Sequence, residues 1–374
     1  MIKVCHMTSV HPPEDVRIFH KECVSLAKAG YETYLVQRGE SYEKEGVHIV
    51  GVGAPPKGRI QRMTNFARSV YQKALEIDAD IYHFHDPELL PYGLKLKKRG
   101  KKVIFDSHEI YAIQISQKSY LPRWVIRLIT CCYICYEKHV VKQLDAVVVP
   151  GLRGDRLFFD GKAKKLVIVD NTAKLDELYD HYCPEITRNT RQVCYVGSLT
   201  QARGITLSIK AVYAAQCRLF LAGKFVPAGY EESLRAMPEF SCVEYQGELD
   251  RTGVQDLLNR SSIGLCLMSA GLQFQVNSNL NVKTYEYMAM GMPVILSCNP
   301  YNRTILDQWK FGICVNPNNE KEVTDAICYL LNHPEEARQM GENGRRAIKE
   351  KFNWGVEEKK LLALYEEVLS DGCR

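Results

Sequence analysis

The chain has 374 residues, 46% hydrophobic, 10% aromatic and 25% charged, which excludes collagen-like and disordered classes and supplies apolar material for packed cores. That length exceeds one small binding module and suits two domains or one large α/β unit. The formal charge of +5 is unevenly divided: residues 1–175 hold 28 Lys and Arg against 19 Asp and Glu, and residues 176–374 hold 21 against 25, so an anionic partner is drawn to the first half.

The opening MIKVCHMTSVHPPED lacks the basic region, apolar core and small-residue site of a signal peptide. No apolar run is long enough to span a membrane, so the chain is expected in the cytoplasm. Short β-rich runs then alternate with longer amphipathic stretches, the pattern of strand, crossover helix and parallel strand. In the first half these runs are 2–6, 33–37, 47–51, 81–85, 102–106, 146–150 and 166–170; in the second, 192–197, 218–223, 242–247, 263–268, 293–297 and 312–316. The polar, proline-bearing stretch 172–191 separates them. Helices at about 319–332, 334–350 and 354–370 close the chain. The expected division is therefore a first Rossmann-like domain at 1–175, a second at 190–353, and a final helix at 354–374 that returns to the first.

Within the first half, Asp78-Ala-Asp80 precedes its strand and reads as a helix-to-strand turn. His83, His85 and Asp86 alternate at a strand end as metal ligands do, but the Asp-His pair of a binuclear site is missing, so substrate-site or structural roles are expected and no metal ligand is assigned. The stretch 119–143 sets Trp124, Ile126, Leu128, Ile129, Tyr133 and Tyr136 beside Arg123, Arg127, Lys138 and Lys142. It suits either a membrane interface or a core helix with a solvated basic edge. Fourteen cysteines are scattered apart from Cys131, Cys132 and Cys135, and most are expected to be buried, reduced hydrophobes.

The second half carries two telling segments. After the strand at 192–196, Gly197-Ser-Leu-Thr200-Gln-Ala-Arg203-Gly204 leads into a helical pattern. Such a loop offers backbone N–H groups, a positive helix end and the Arg203 cation to a phosphate; an ordinary strand-to-helix turn fits it equally. Further on, Lys283 and Glu286 share a face of a short helix that ends at Gly291 before the strand at 293. Neither a dinucleotide fingerprint at the first strand nor a P-loop is present, and no nucleic-acid recognition motif appears.

With YVGSLTQARGI (195–205) and KTYEYMAMGMPVILS (283–297), supported by residues 11–32, HFHDPELLP (83–91) and FDSHE (105–109), the chain resembles the retaining glycosyltransferases of family 4. The likeness extends to bacterial enzymes of surface-polysaccharide assembly. It implies an α/β GT-B architecture of two facing Rossmann-like domains, closing over a donor held by the second and an acceptor held by the first. It implies that Glu286 holds the nucleotide ribose, that Arg203 and Lys283 meet the donor diphosphate, and that His108 faces the transferred sugar. Gly197, Thr200, Gly204 and Tyr287 complete the donor-contacting set. The family's further glutamate is replaced here by Ser278, and the basic residue after the loop glycine by Ser198. Asp15 and Arg17 are expected to stand in for a glycine-rich loop after the first strand.

The function so implied is transfer of a hexose, with retention, from a nucleotide diphosphate sugar to an acceptor hydroxyl in surface polysaccharide or glycolipid assembly. Neither metal nor cofactor is called for. A lipid-linked or saccharide acceptor and the inner membrane leaflet are the expected partners, and nucleic acid is not. A nucleotide-sugar epimerase or a non-catalytic nucleotide-sugar-binding protein of the same fold are the alternatives.

Overall fold

The computed structural model describes residues 1–107, 111–116, 122–153, 159, 161–186, 188–268 and 277–371. The chain divides into two compact units: residues 1–171 with 357–374, and residues 172–356.

The first unit is built on strands β1 (Lys3–Met7), β2 (Glu32–Gln37), β3 (Tyr42–Lys44), β4 (Val47–Gly51), β5 (Ile81–Phe84), β6 (Lys102–Asp106), β7 (Ala146–Val149) and β8 (Leu166–Ile168). Their order is β3-β4-β2-β1-β5-β6-β7-β8. Every pairing is parallel except β3 with β4. Strands β5 and β7 are buried at every position, as strands covered on both faces by crossover helices must be. Strand β3 escapes the apolar-run signal because its residues are mostly exposed; Glu45 and Gly46, both at positive φ, turn the chain back into β4.

Helices α1 (Ala67–Ile77), α2 (Leu90–Lys98) and α3 (Arg123–Val141) belong to this unit. Gly93 lets α2 approach the sheet, since a Cβ there would lie 2.7 Å from the Phe84 ring. Asp78 ends α1 in the left-handed region and pairs with Lys101 at 2.7 Å, while Asp80 accepts the Lys3 N–H at 2.8 Å. The Asp-x-Asp is thus a turn.

Strands β9 (Asn189–Val196), β10 (Arg218–Ala222), β11 (Val243–Tyr245), β12 (Ser261–Cys266), β13 (Val294–Ser297) and β14 (Gly312–Val315) form the second unit's parallel sheet, ordered β11-β10-β9-β12-β13-β14. Its helices include α4 (Ile205–Ala214), α5 (Arg251–Arg260), α6 (Val282–Ala289), α7 (Pro300–Trp309), α8 (Glu320–Asn332) and α9 (Pro334–Glu350). The last helix, α10 (Trp354–Ser370), carries Leu361, Leu364, Tyr365 and Val368 into the first unit's interior.

The division falls at the start of the stretch expected to separate the domains, and that stretch packs into the second unit. Leu178 is fully buried in the second core, and the Arg188 guanidinium donates to the carbonyls of Met290 and Gly291 just past the end of α6. Those carbonyls are left unpaired by the helix, and a half-buried guanidinium satisfies them. Among the described residues, no helix is long and apolar enough to cross a membrane.

Candidate functional site

In the second sheet, chain order reverses between β9 and β12, and open α/β sheets bind ligands beyond the strand ends at such a point. Gly197 ends β9 at φ +128° and Gly223 ends β10 at φ +132°. A Cβ on Gly223 would strike the Gly197 carbonyl, and a Cβ on Gly197 would strike the Lys283 side chain at Cε and Nζ. Only glycine fits either place.

Beyond Gly197, Thr200 Oγ1 accepts the Arg203 N–H at 3.2 Å and so caps the turn that carries this cation. Gly204, at φ +66°, starts α4 where a Cβ would lie 2.7 Å from Leu267 Cβ. Tyr230 OH takes up the Thr206 N–H at 3.2 Å in the first turn of α4.

Helix α6 brings its residues to this loop. Asn281 caps it by accepting the Lys283 N–H at 3.1 Å. The Lys283 ammonium lies 5.6 Å from the Tyr195 ring centroid. Burial, and then the like charge of Arg203, hold Lys283 below the ordinary lysine range. Burial raises the Tyr195 phenol to about 12 against the opposing pull of Arg203. Two cations are therefore crowded beside a glycine turn, and an anion between them would relieve both.

One turn along, Glu286 Oε1 accepts from Arg251 at 2.9 Å, and Arg251 also donates to Glu177 at 2.8 Å. Burial lowers the Arg251 pKa, but the two carboxylates outweigh it and the net shift is upward. Arg251 opens α5 in ordinary fashion, and nothing local in the sequence ties it to a carboxylate 35 positions away.

The structure thus gathers Gly197, Thr200, Arg203, Gly204 and Lys283, with Glu286 on the same helix as Lys283. Tyr287 is different: it is fully buried, packs against Gly264, and accepts the Val196 N–H at 3.2 Å. It supports the end of β9 from within the core and cannot line a ligand site, contrary to the sequence expectation. His108 lies outside the described residues.

The first unit corrects another expectation. Arg17 is buried, donating to Asp106 Oδ2 at 2.7 Å and the Val169 carbonyl at 3.0 Å, so it offers no loop cation. Asp15 accepts the N–H groups of Arg17 and Ile18 at 2.9 and 3.1 Å. The loop after β1 instead wraps Asp86, which accepts from Thr8, Ser9 and Val10. Burial raises the Asp86 carboxyl, but His11 and these donors hold it down to about 2. Of the cysteines, Cys5, Cys23, Cys194, Cys217, Cys242 and Cys266 are buried, whereas Cys131, Cys132 and Cys135 are exposed.

Residues 184–347 match the family described as glycosyl transferases group 1, and residues 17–152 the glycosyltransferase family 4. An α-(1→4)-mannosyltransferase of Mycolicibacterium hassiacum is 26% identical over 127 residues, 32% of this chain and 31% of that protein. The chain spans about half or less of the length of the curated relatives it matches. Sucrose-phosphate synthase of Thermosynechococcus elongatus superposes with a TM-score of 0.80 at 14% identity, covering 99% of this chain and 100% of that one. HepE of Anabaena, solved with UDP, gives 0.71 at 12% identity over 98% and 99%.

Proposed function

For a chain that is a GT-B glycosyltransferase of the group 1 and family 4 type, we propose that the second unit binds a nucleotide diphosphate sugar and that the enzyme transfers its hexose, with retention, to an acceptor hydroxyl. The observation that carries this reading is the closeness of Lys283 and Arg203 at the Gly197 turn, where two like charges suit a diphosphate. Glu286 faces the ribose hydroxyls, its Oε1 fixed by Arg251, because a carboxylate is suited to two adjacent O–H donors. The UDP bound to HepE and the activity of the mannosyltransferase relative are what support UDP and a hexose as first choices.

In the reaction, the bond from anomeric carbon to diphosphate oxygen breaks, the acceptor oxygen bonds the same carbon on the same face, and its proton passes to the departing phosphate. Charge grows on the diphosphate as the bond lengthens. Lys283 and Arg203 stabilise that charge more strongly in the transition state than in the bound donor. Neither metal nor cofactor enters the transfer step, and His108 positions the sugar.

Acceptor recognition falls to the first unit. On α3, Trp124 is 71% and Leu128 58% exposed, with Ile129 and Tyr136 also exposed beside Arg123 and Arg127. This face suits the anionic inner leaflet where a lipid-linked acceptor of surface polysaccharide assembly lies. A thermal-shift panel of UDP-, GDP- and other nucleotide sugars tests the donor, since a ligand stabilises the state it binds. A concentration-dependent rise with one class, and release of its nucleotide on adding a saccharide acceptor, is expected. No shift with any donor contradicts the proposal.

A further inference from the structure

The first unit holds a constellation that sugar transfer leaves unused. His6 on β1, and His83 and His85 on and just after β5, meet Glu22 from the helical turn Ile18–Cys23. One ligand-capable atom from each lies within 4.8 Å of the others, and all four side chains are buried. His6 Nδ1 and His85 Nε2 are 3.0 Å apart, and Glu22 Oε2 is 3.9 and 3.8 Å from them. Ligands at about 2.0–2.2 Å from one tetrahedral ion stand roughly 3.3–3.6 Å apart, so this triangle is close to the required size.

The far atom of each ligand is also held. His6 Nε2 meets Tyr365 OH at 3.0 Å, His85 Nδ1 faces Asp106 Oδ2 at 3.4 Å, and Glu22 Oε1 faces Arg17 Nε at 3.0 Å. His83 Nδ1 meets the same Tyr365 hydroxyl at 2.8 Å, which turns its Nε2 away from that contact. Hydroxyl and carboxylate partners on the outer nitrogens are what orient metal-bound imidazoles. Arg17 touches two buried carboxyl groups of this cluster, Glu22 and Asp106.

We propose that His6, His83, His85 and Glu22 form a closed structural site for one divalent transition-metal ion, zinc before others, with Tyr365, Asp106 and Arg17 as its outer support. Nitrogen and carboxylate ligands together suit zinc-like ions better than magnesium or calcium. The ion joins β1 and β5 to the turn at Ile18–Cys23 and, through Tyr365, to α10. Sequence spacing alone shows His83 and His85 but not His6, which the parallel pairing of β1 with β5 sets beside His83, nor Glu22, which the turn at Ile18–Cys23 supplies.

The test uses the full chain, stripped with a chelator, dialysed, and titrated with zinc or cobalt(II) chloride. One equivalent is expected, with a tetrahedral cobalt spectrum free of a thiolate charge-transfer band and a higher melting temperature after addition. The exposed Cys131, Cys132 and Cys135 are the competing sink, so their triple Ser variant is expected to bind unchanged. Tyr365→Phe is expected to weaken binding about 10–100-fold, and Glu22→Gln by more. Absence of stoichiometric uptake by the folded wild-type chain, a thiolate spectrum, or undiminished binding in Tyr365→Phe overturns the proposal. The wild-type spectrum decides alone should a variant fail to fold.

Discussion

Both sheets reverse chain order at one point, yet they furnish it in opposite ways. In the first unit, His6 on β1, His83 on β5 and Glu22 are wholly buried and cluster with His85, which faces the buried Asp106 of β6. Beyond β9 and β12 of the second, Gly197 leaves out a side chain, and Arg203, Lys283 and Glu286 remain partly exposed. The first arrangement is enclosed by its own side chains. The second keeps the like charges of Lys283 and Arg203 together, a condition that a ligand of opposite sign would relieve. Similar topology therefore gives a closed polar core in one unit and, in our proposal, a ligand site in the other.

Breaking the open site at its cation should have the largest effect. Lys283→Met keeps the packed stem under Tyr195 and removes the charge, and turnover is expected to fall about 10²–10³-fold, the usual loss for one stabilising donor; steady-state kinetics with saturating donor measures it. Gly197→Ala forces a Cβ into Lys283 at a φ that L residues avoid. It should cost roughly 1–3 kcal/mol of stability in denaturant melts together with donor affinity, so an unchanged midpoint removes the steric argument.

A carboxylate in the first unit sharpens the contrast. Burial raises Glu137 on α3 to about 7 from 4.5, with Tyr133 OH donating to it at 2.6 Å. Between those two values the folded chain keeps a proton that the unfolded chain has lost, so this group's contribution to stability falls as pH rises through that window. Glu137→Gln should stabilise the protein by about 1–2 kcal/mol at pH 8, discounting the roughly 1.4 kcal/mol per pH unit that the full shift implies. The gain should vanish near pH 4. A gain independent of pH contradicts the assignment. The smallest effect belongs to Arg251→Ala, which frees the Glu286 carboxylate without deleting it; donor affinity should drop only a few-fold, about 1 kcal/mol, by titration calorimetry.

Much of this was legible before the structure. The run Ala146–Val149 is apolar throughout, and Ile81–Phe84 apolar but for His83, because both faces of a parallel strand are covered. The glycine turn at 197–204 announces itself because positive φ and close approach both demand glycine there. What stayed hidden depends on pairings that only the fold creates. Arg251 finds Glu286 because α5 and α6 pack on one sheet, and His6 finds His85 across 79 residues because β1 pairs with β5. Tyr287 misled for a related reason. Helical spacing puts it one residue from Glu286, and that step of about 100° turns it from the surface into the core.

The central claim is that the open switch point of the second unit grips a nucleotide diphosphate through Glu286 and the two cations. Titration calorimetry of UDP, or of whichever nucleotide the donor panel selects, against wild type and Glu286→Ala tests it most directly. Loss of the carboxylate is expected to cost about 1.5–3 kcal/mol of binding, a 10- to 150-fold weaker dissociation constant. Equal affinity in the two proteins would contradict it.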